Sequence, residues 1–460
     1  MRVLVQLRAT LAMPATADAA AMALVAEETL GGLPPAFAVD AAYRPVPVPA
    51  PVPDEPGADR FSLIAPRSFE TAAGAVTHVV RGQIPDGIEQ RSALAELHAH
   101  PDVVGVFSDP VIESSIVCPG DAPVGTDADV AEQLDVPVLA AAGMDGTGVT
   151  VAVVDSGINV AHLRAKGRAP KLNASASWTP AGVTTKPGRH PVDHGTMCAY
   201  DLGIAAPKAT LLDYAVLLSR RPGETVMSGL LSDAVLAYSR LRQVLDDMPA
   251  SRRTLVVTNS WGMFSPSWDF PVGHPGNYSD NPAHPFNIIV SSLEAAGADI
   301  LFAAGNCGRD CPDSRCQFDG TRPICGANSL PSVISVAGVD VRRRRVGYSS
   351  QGPGRLDANK PDISGYTHFK GSGVYPADGG TSAACPVIAG FVAAVRTKHR
   401  GPKLAPRQLR TALYKTASDL GRPGHDFDVG WGVPNATALI AALGAPRART
   451  RTARPSGARR

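Results

Sequence analysis

Aromatic residues make up only 5% of this 460-residue sequence, and cysteine occupies seven positions. That is too little cysteine for a small scaffold held by disulfides, so stability must come from a hydrophobic core. The 44% of hydrophobic residues can supply a large one, and at about 100 to 200 residues per domain the length implies two or three domains. Long apolar runs are missing as well. No stretch of roughly 18 uncharged apolar residues, as a membrane-spanning helix needs, is present. Nor is there an excess of one charge: 44 Lys plus Arg face 42 Asp plus Glu, a formal +2. This balance argues against a polyanion-binding chain and against an acidic disordered one. It is uneven along the chain, however. Residues 444–460 hold six arginines and no acid, leaving 38 basic against 42 acidic residues elsewhere, a net −4. A clear secretory leader is also lacking. Met1, Arg2 and Val3 to Val5 begin like one, but Gln6 and Arg8 interrupt the apolar run and Asp18 breaks the alanine-rich stretch that follows. The expectation is a cytoplasmic protein, with secretion by an unrecognised signal as the alternative.

Two regions differ in pattern. Up to about residue 115 the elements are short: Arg2 to Leu7, Val76 to Ile84 and Val103 to Val106 read as strands, Ala17 to Glu28 and Ser92 to His100 as helices. The alternating prolines from Val46 to Pro53 read as a loop. Such units predict a small α+β domain with one sheet. From about residue 116 continuous apolar runs take over, at Val149 to Val154, Leu211 to Leu217, Leu255 to Thr258, Ile300 to Ala304 and Val333 to Val339. Helical stretches separate or follow them at Ser228 to Val244, Pro285 to Ala296, Pro386 to Thr397 and Pro406 to Thr416. Unalternated strands between helices predict an α/β fold with a mostly parallel sheet covered on both faces. Its chemistry belongs beyond the carboxyl ends of the strands.

Three segments carry chemistry there. Asp155 ends the first of these strands and is followed by Ser156 and Gly157; His194 opens a run of small residues, Gly195 to Ala199; Ser382 follows Gly379, Gly380 and Thr381 at the start of an apolar helix. Singly, each has a plain structural reading, as a cap, a surface histidine or a helix start. Jointly they supply a nucleophile, a base to deprotonate it and an acid to orient the base. The order Asp, His, Ser is the one found in subtilisin.

With these residues in view, the chain resembles the subtilisin-like serine peptidases, with some proteinase K-like features. The match lies in Val151 to Ile158, Asp193 to Ala199 and Gly379 to Pro386, supported by Asn259 to Gly262, Ala303 to Asn306, Ser349 to Pro353 and Gly430 to Ala436. The resemblance implies a three-layer α/β peptidase domain over residues 116–443 and a serine endopeptidase acting through an acyl-enzyme. Asp155, His194 and Ser382 would be the catalytic residues and Asn306 the side-chain donor of the oxyanion hole, while Ser260, Trp261, Gly262, Ala303, Ala304 and Gly305 would line the substrate site. It also makes residues 1–115 a propeptide-like inhibitory domain, whose end is Leu97 to Val106 and Val111 to Glu113, with self-cleavage expected between Glu113 and Pro119. A permanently attached regulatory domain is the competing reading. The alternatives for the site are a transpeptidase or macrocyclase, and a catalytically silent peptide-binding protein. Expected partners are a polypeptide substrate and the chain's own N-terminal domain, in a monomer, with neither nucleic acid nor membrane. No cofactor or metal is required; calcium is common in the family, but no acidic loop here has a diagnostic calcium pattern.

Cys198 and Cys385 each fall one helical turn after a catalytic position, and read as small buried core residues. Cys307, Cys311, Cys316 and Cys325 lie within 19 residues. Their spacing lacks the paired knuckles of zinc ribbons, so thiol pairing is favoured over zinc, in tension with a cytoplasmic location. The insert 263–284, with Phe264, Trp268, Phe270 and Tyr278, reads either as cleft wall or as a self-packed loop. Arg342 to Arg345 and the basic, disordered tail 444–460 read as solvated charge.

Overall fold

The computed structural model describes residues 1–8, 33–51, 77–114, 122–218, 227–316 and 322–444. The helix expected at Ala17 to Glu28, and the arginine tail beyond Gly444, lie outside the described residues. The N-terminal unit comprises β1 (Arg2–Arg8), β2 (Ala38–Val39), β3 (Val46–Val48), β4 (Thr77–Gln83), helix α1 (Gln90–Ala99) and β5 (Val103–Ser108). Its sheet runs β2-β4-β1-β5 with β3 also on β4, every pair antiparallel. The proline stretch is therefore not wholly loop. Val46 and Val48 are buried and Pro47 is exposed, the arrangement an edge strand permits because proline there need not donate to a ladder.

Beyond β6 (Val111–Ser114) the chain builds a second, larger sheet. Its strands are β7 (Thr150–Val154), β8 (Lys171–Leu172), β9 (Thr210–Tyr214), β11 (Leu255–Asn259), β13 (Ala298–Ala303), β14 (Ile334–Val339) and β15 (Ile363–Tyr366); the short β10 (Ser228–Leu230) and β12 (Trp261–Gly262) stand apart with β6. The order is β15-β14-β13-β11-β7-β9-β8, all parallel. Side chains alternate across it. Val151, Val153, Leu211, Val256 and Leu301 join one core, with α2 (His194–Leu202) and α5 (Gly380–Arg396). Ala152, Val154, Leu212, Val257 and Ile300 join the other, with α3 (Leu231–Asp246) and α4 (Pro285–Ala295). This is the three-layer α/β fold.

Helix α5 is buried along its whole length, as a helix apolar on all sides must be. Its last residue, Arg396, is reconciled with burial by a two-pronged pairing to Asp299, with both contacts at 2.6 Å. The helix begins at Gly380, beside Ser382 as its motif implied and six residues before the helical stretch expected from Pro386, so the proline sits inside it. Proline lacks an N–H and so leaves the carbonyl of residue i−4 without its helical donor. That carbonyl is Ser382's, and it instead accepts from Ser260 Oγ (2.9 Å) and Cys198 Sγ (3.5 Å). A second correction concerns Ser228: the helix expected from there starts at Leu231, and Ser228–Leu230 is strand because β6 pairs with it. Among the described residues no helix is long and apolar enough to cross a membrane.

Candidate active site

Three strand or helix ends converge above the parallel sheet. Asp155 follows β7 directly, is 1% exposed, and its Oδ1 lies 2.8 Å from His194 Nδ1. The turn after it needs glycine twice. Gly157 has φ +97°, and a Cβ there would come within 2.4 Å of His190; a Cβ on Gly195 would come within 2.5 Å of Gly157 O. Helix α2 can therefore start hard against the strand end, with Asp193 as its cap (His194 N to Asp193 Oδ1, 2.8 Å). His194 is its first residue. Burial opposes a charged imidazole, but the Asp155 carboxylate, with Asp193 beyond it, outweighs burial, so His194 holds its proton more tightly than the ordinary 6.5 implies. Its Nε2 is buried and has no hydrogen-bond partner among the described residues.

Ser382 lies in the first turn of α5, after Gly380 at φ +75°. Its Oγ donates to Ser260 O at 3.4 Å, at the end of β11. Asn306 approaches from the end of β13. Its Oδ1 accepts from Thr381 N (2.9 Å) and Thr381 Oγ1 (3.0 Å), which fixes the carboxamide plane, and a Cβ on Gly380 would come within 2.8 Å of its Nδ2. A side chain at 380 would thus push against the amide, which is a close-approach reason for glycine. Gly305 N is held by Thr381 Oγ1 (3.0 Å). The expected substrate segments also meet here: Asn328 Nδ2 donates to both Trp261 O and Ala303 O at 2.9 Å, tying Ser260 to Gly262 against Ala303 to Gly305. Trp261 contributes only its backbone to this surface, because its ring is 1% exposed and donates to Val154 O at 3.0 Å.

Cys198 sits beneath the pair, Sγ 3.7 Å from Asp155 Oδ2 and 3.8 Å from His194 Nδ1. Burial first, then Asp155, push its thiol well above its ordinary value, and burial likewise pushes Cys385 up to about 12. Both are therefore neutral thiols, unsuited as nucleophiles. Asp155, His194 and Cys198 offer ligand atoms within 4.8 Å, but with a protonated thiol and a histidine nitrogen already bonded to the carboxylate the set does not fit a metal.

The cleft holds a strand. β6 lies between β10 and β12, antiparallel to both, with Ile112 opposite Gly229, Glu113 opposite Gly262 and Ser114 opposite Trp261. Two residues that no sequence motif marks grip it. Asp313 and Arg315 follow Asn306 inside a loop closed by a Cys307–Cys316 disulfide (Cα–Cα 5.7 Å). Cys311 is also disulfide-bonded, whereas Cys325 is a free, buried thiol. Thiol pairing thus holds for Cys307, Cys311 and Cys316 and not for Cys325, in preference to a zinc site shared by all four. The insert 263–284 answers to neither expectation alone. Phe264 lies under the Arg315 guanidinium (4.6 Å), at the cleft. Asp269, in contrast, gathers Ser108 Oγ, Tyr278 N and Ser279 N within 2.9 Å, and Gly276 O accepts from Ser108 N, also at 2.9 Å. Much of the insert is a dock for the N-terminal unit.

Comparison with known proteins agrees with this geometry. The profile of the Subtilase family, peptidase S8, matches residues 146–432. Subtilisin E of Bacillus subtilis (strain 168) is 28% identical over 317 residues, covering 66% of this chain and 69% of that protein. Subtilisin of Bacillus pumilus is 29% identical over 291 residues, 63% of this chain and 90% of that one. Fervidolysin of Fervidobacterium pennivorans is 28% identical over 307 residues, 64% of this chain and 41% of its own length. The chain belongs to the subtilase family. It is a serine-type endopeptidase, and its substrates are polypeptides.

Proposed function

We propose that the chain is made as a self-processing zymogen whose catalytic residues are Ser382, His194 and Asp155. The observation that carries this reading is β6 lying in the cleft as a substrate would, one residue short of Ser260, whose carbonyl accepts from Ser382 Oγ. Asp155 holds His194 with Nδ1 protonated, so the unpartnered Nε2 takes the proton of Ser382 as Oγ attacks a peptide carbonyl. The carbonyl oxygen gains negative charge. The first N–H groups of a helix have no intrahelical acceptor; Thr381's goes to Asn306 Oδ1, and Ser382's meets the oxyanion together with Asn306 Nδ2. His194 then gives its proton to the leaving amine as the C–N bond breaks. Water, deprotonated by the same histidine, hydrolyses the acyl-enzyme. No cofactor takes part in these steps.

Residues up to about 115 act as the inhibitor of this site, and cleavage just beyond β6 frees the rest, as a monomer. Intact mass is the test: wild type is expected to be shorter than Ser382→Ala, and equal masses would refute self-processing. A serine-directed fluorophosphonate mapped to Ser382 distinguishes an enzyme from a silent peptide binder, and product analysis on peptides distinguishes hydrolysis from ligation. The Cys307–Cys316 bridge favours an oxidising compartment, hence export, over the cytoplasm. Fractionation of producing cells checks this; fully reduced thiols in cytosolic protein would reverse it.

A further inference from the structure

The grip on β6 has a chemical selectivity. Arg315 Nη1 contacts the carboxylate of Glu113, and its Nη2 donates to Ser114 O at 2.7 Å. The guanidinium is held from behind by Asp313, through Nε to Oδ1 (3.0 Å) and Nη2 to Oδ2 (2.6 Å), and lies on the Phe264 ring. Asp313 in turn is 4% exposed and its N–H donates to Asn306 O at 2.8 Å. A surface arginine kept only for solubility would need none of these supports. A guanidinium fixed on one edge and stacked on a ring loses little freedom when its other edge meets an anion.

We propose that Arg315 is a specificity-determining residue, which makes the enzyme prefer substrates with Glu or Asp at the third position on the amino side of the cleaved bond. This rests on the peptidase reading above. The position follows from register. Beside β10 and β12, an extended peptide adds as a middle strand in the way β6 does. In that register the residue after the Ser114 position falls opposite Ser260, whose carbonyl receives Ser382 Oγ. The bond attacked is therefore the one following that residue, and the Glu113 position is third before it. Alternation along β6 agrees: Ile112 and Ser114 are buried, while Val111 and Glu113 are partly exposed on the opposite face, where Glu113 meets Arg315. The carbonyl contact to Ser114 is independent of side chain and serves any peptide, whereas the Glu113 contact discriminates by charge.

The test uses full-length protein, incubated until its mass is stable, with peptides of one sequence carrying Glu, Gln or Lys at the third position. Wild type is expected to favour Glu over Gln by about 10-fold in kcat/KM, and over Lys by more, as one charge-assisted contact warrants. Arg315→Gln should flatten the series and Arg315→Glu should invert it toward Lys. These are ratios within each variant, so a partly folded variant still reports. A flat series in wild type, with peptides cleaved, overturns the proposal and leaves the peptidase reading intact. No cleavage of any peptide together with no fluorophosphonate labelling removes the peptidase reading, and this inference with it.

Discussion

The two regions bury their sheets in different ways. In the catalytic body both faces of the parallel sheet are covered by helices of the same region. In the N-terminal unit only one face is its own: Val3, Val5, Leu7, Val80 and Val106 pack with Ala93 and Leu97 of α1. The other face, with Leu4, Val46, Val48, Val79 and Phe107, belongs to the core that contains Leu231, Phe286 and Trp261. A period of two along β1 thus sends alternate residues into two different cores. The body carries its own stability, whereas the N-terminal unit completes its fold on the body. Separating the unit from the body would expose the face that carries Leu4, Val46, Val48, Val79 and Phe107.

The largest effect separates chemistry from docking. Ser382→Ala should lower turnover by at least about 10^4-fold, yet leave the N-terminal unit in place, because among the described residues it is held by β10, β12, Ser232, Asp233, Asp269 and Arg315. Loss of docking in that variant, seen as faster proteolysis of the N-terminal unit, would mean the active site itself holds the unit. Next comes Arg81, 5% exposed, which reaches Ser232 Oγ and Asp233 Oδ1 of α3 at 3.1 Å each and also pairs with Asp40. Arg81→Ala takes a cation from beside buried carboxylates, a loss worth about 3 to 5 kcal/mol. Fluorophosphonate labelling of Ser382 should then accelerate at least about 100-fold. Unchanged labelling would show that the unit stands without its host.

The same asymmetry explains what could be read in the sequence. The parallel strands were legible because burial on both faces leaves unbroken apolar runs, and Asp155, His194 and Ser382 because each sits beside glycine or small residues at an element's end. Ser228–Leu230 was not legible as strand, since a three-residue strand exists only through its partner β6. Val46–Val48 was hidden by prolines that an edge tolerates. Asn328, Asp269, Asp313 and Arg315 left no signal at all: a local pair such as Asp313 and Arg315 has no pattern of its own, and only folding brings Asp269 to Ser108, Asn328 to Trp261 and a guanidinium to Glu113, the last separated by 202 positions.

A smaller effect concerns the loop that carries Arg315. Closing a loop of this length contributes about 2 to 3 kcal/mol in the chain-entropy picture. Cys307→Ser with Cys316→Ser should lower the thermal midpoint by a few degrees and weaken selection for an acid at the third position more than it weakens overall turnover. If neither moves, the loop is held sufficiently by Asp313 N to Asn306 O and Gly308 N to Tyr348 O, both 2.8 Å.

The smallest expected effect is a pH dependence of docking alone. Asp109 accepts from Ser232 N (2.8 Å) and Ser232 Oγ (3.0 Å) across the junction. Burial above all, with Asp233 adding to it, pushes its carboxyl from 3.8 up to about 6, against the hydrogen bonds from Ser232 and the charge of Arg2. A carboxyl with a higher pKa docked than free takes up protons on docking. Its contribution is therefore fully present below about pH 4, is lost as pH rises toward 6, and changes no further above that. The whole swing is at most about 3 kcal/mol, and nearer 1 to 2 once the surroundings relax. Asp109→Asn keeps an acceptor for Ser232 and does not titrate. The ratio of wild-type to variant labelling rates at Ser382 cancels the pH response of His194, so it should climb between pH 4 and 6 and then level. A ratio flat across that interval would mean Asp109 does not change its proton affinity on docking, and the junction would then be an ordinary ion-pair contact.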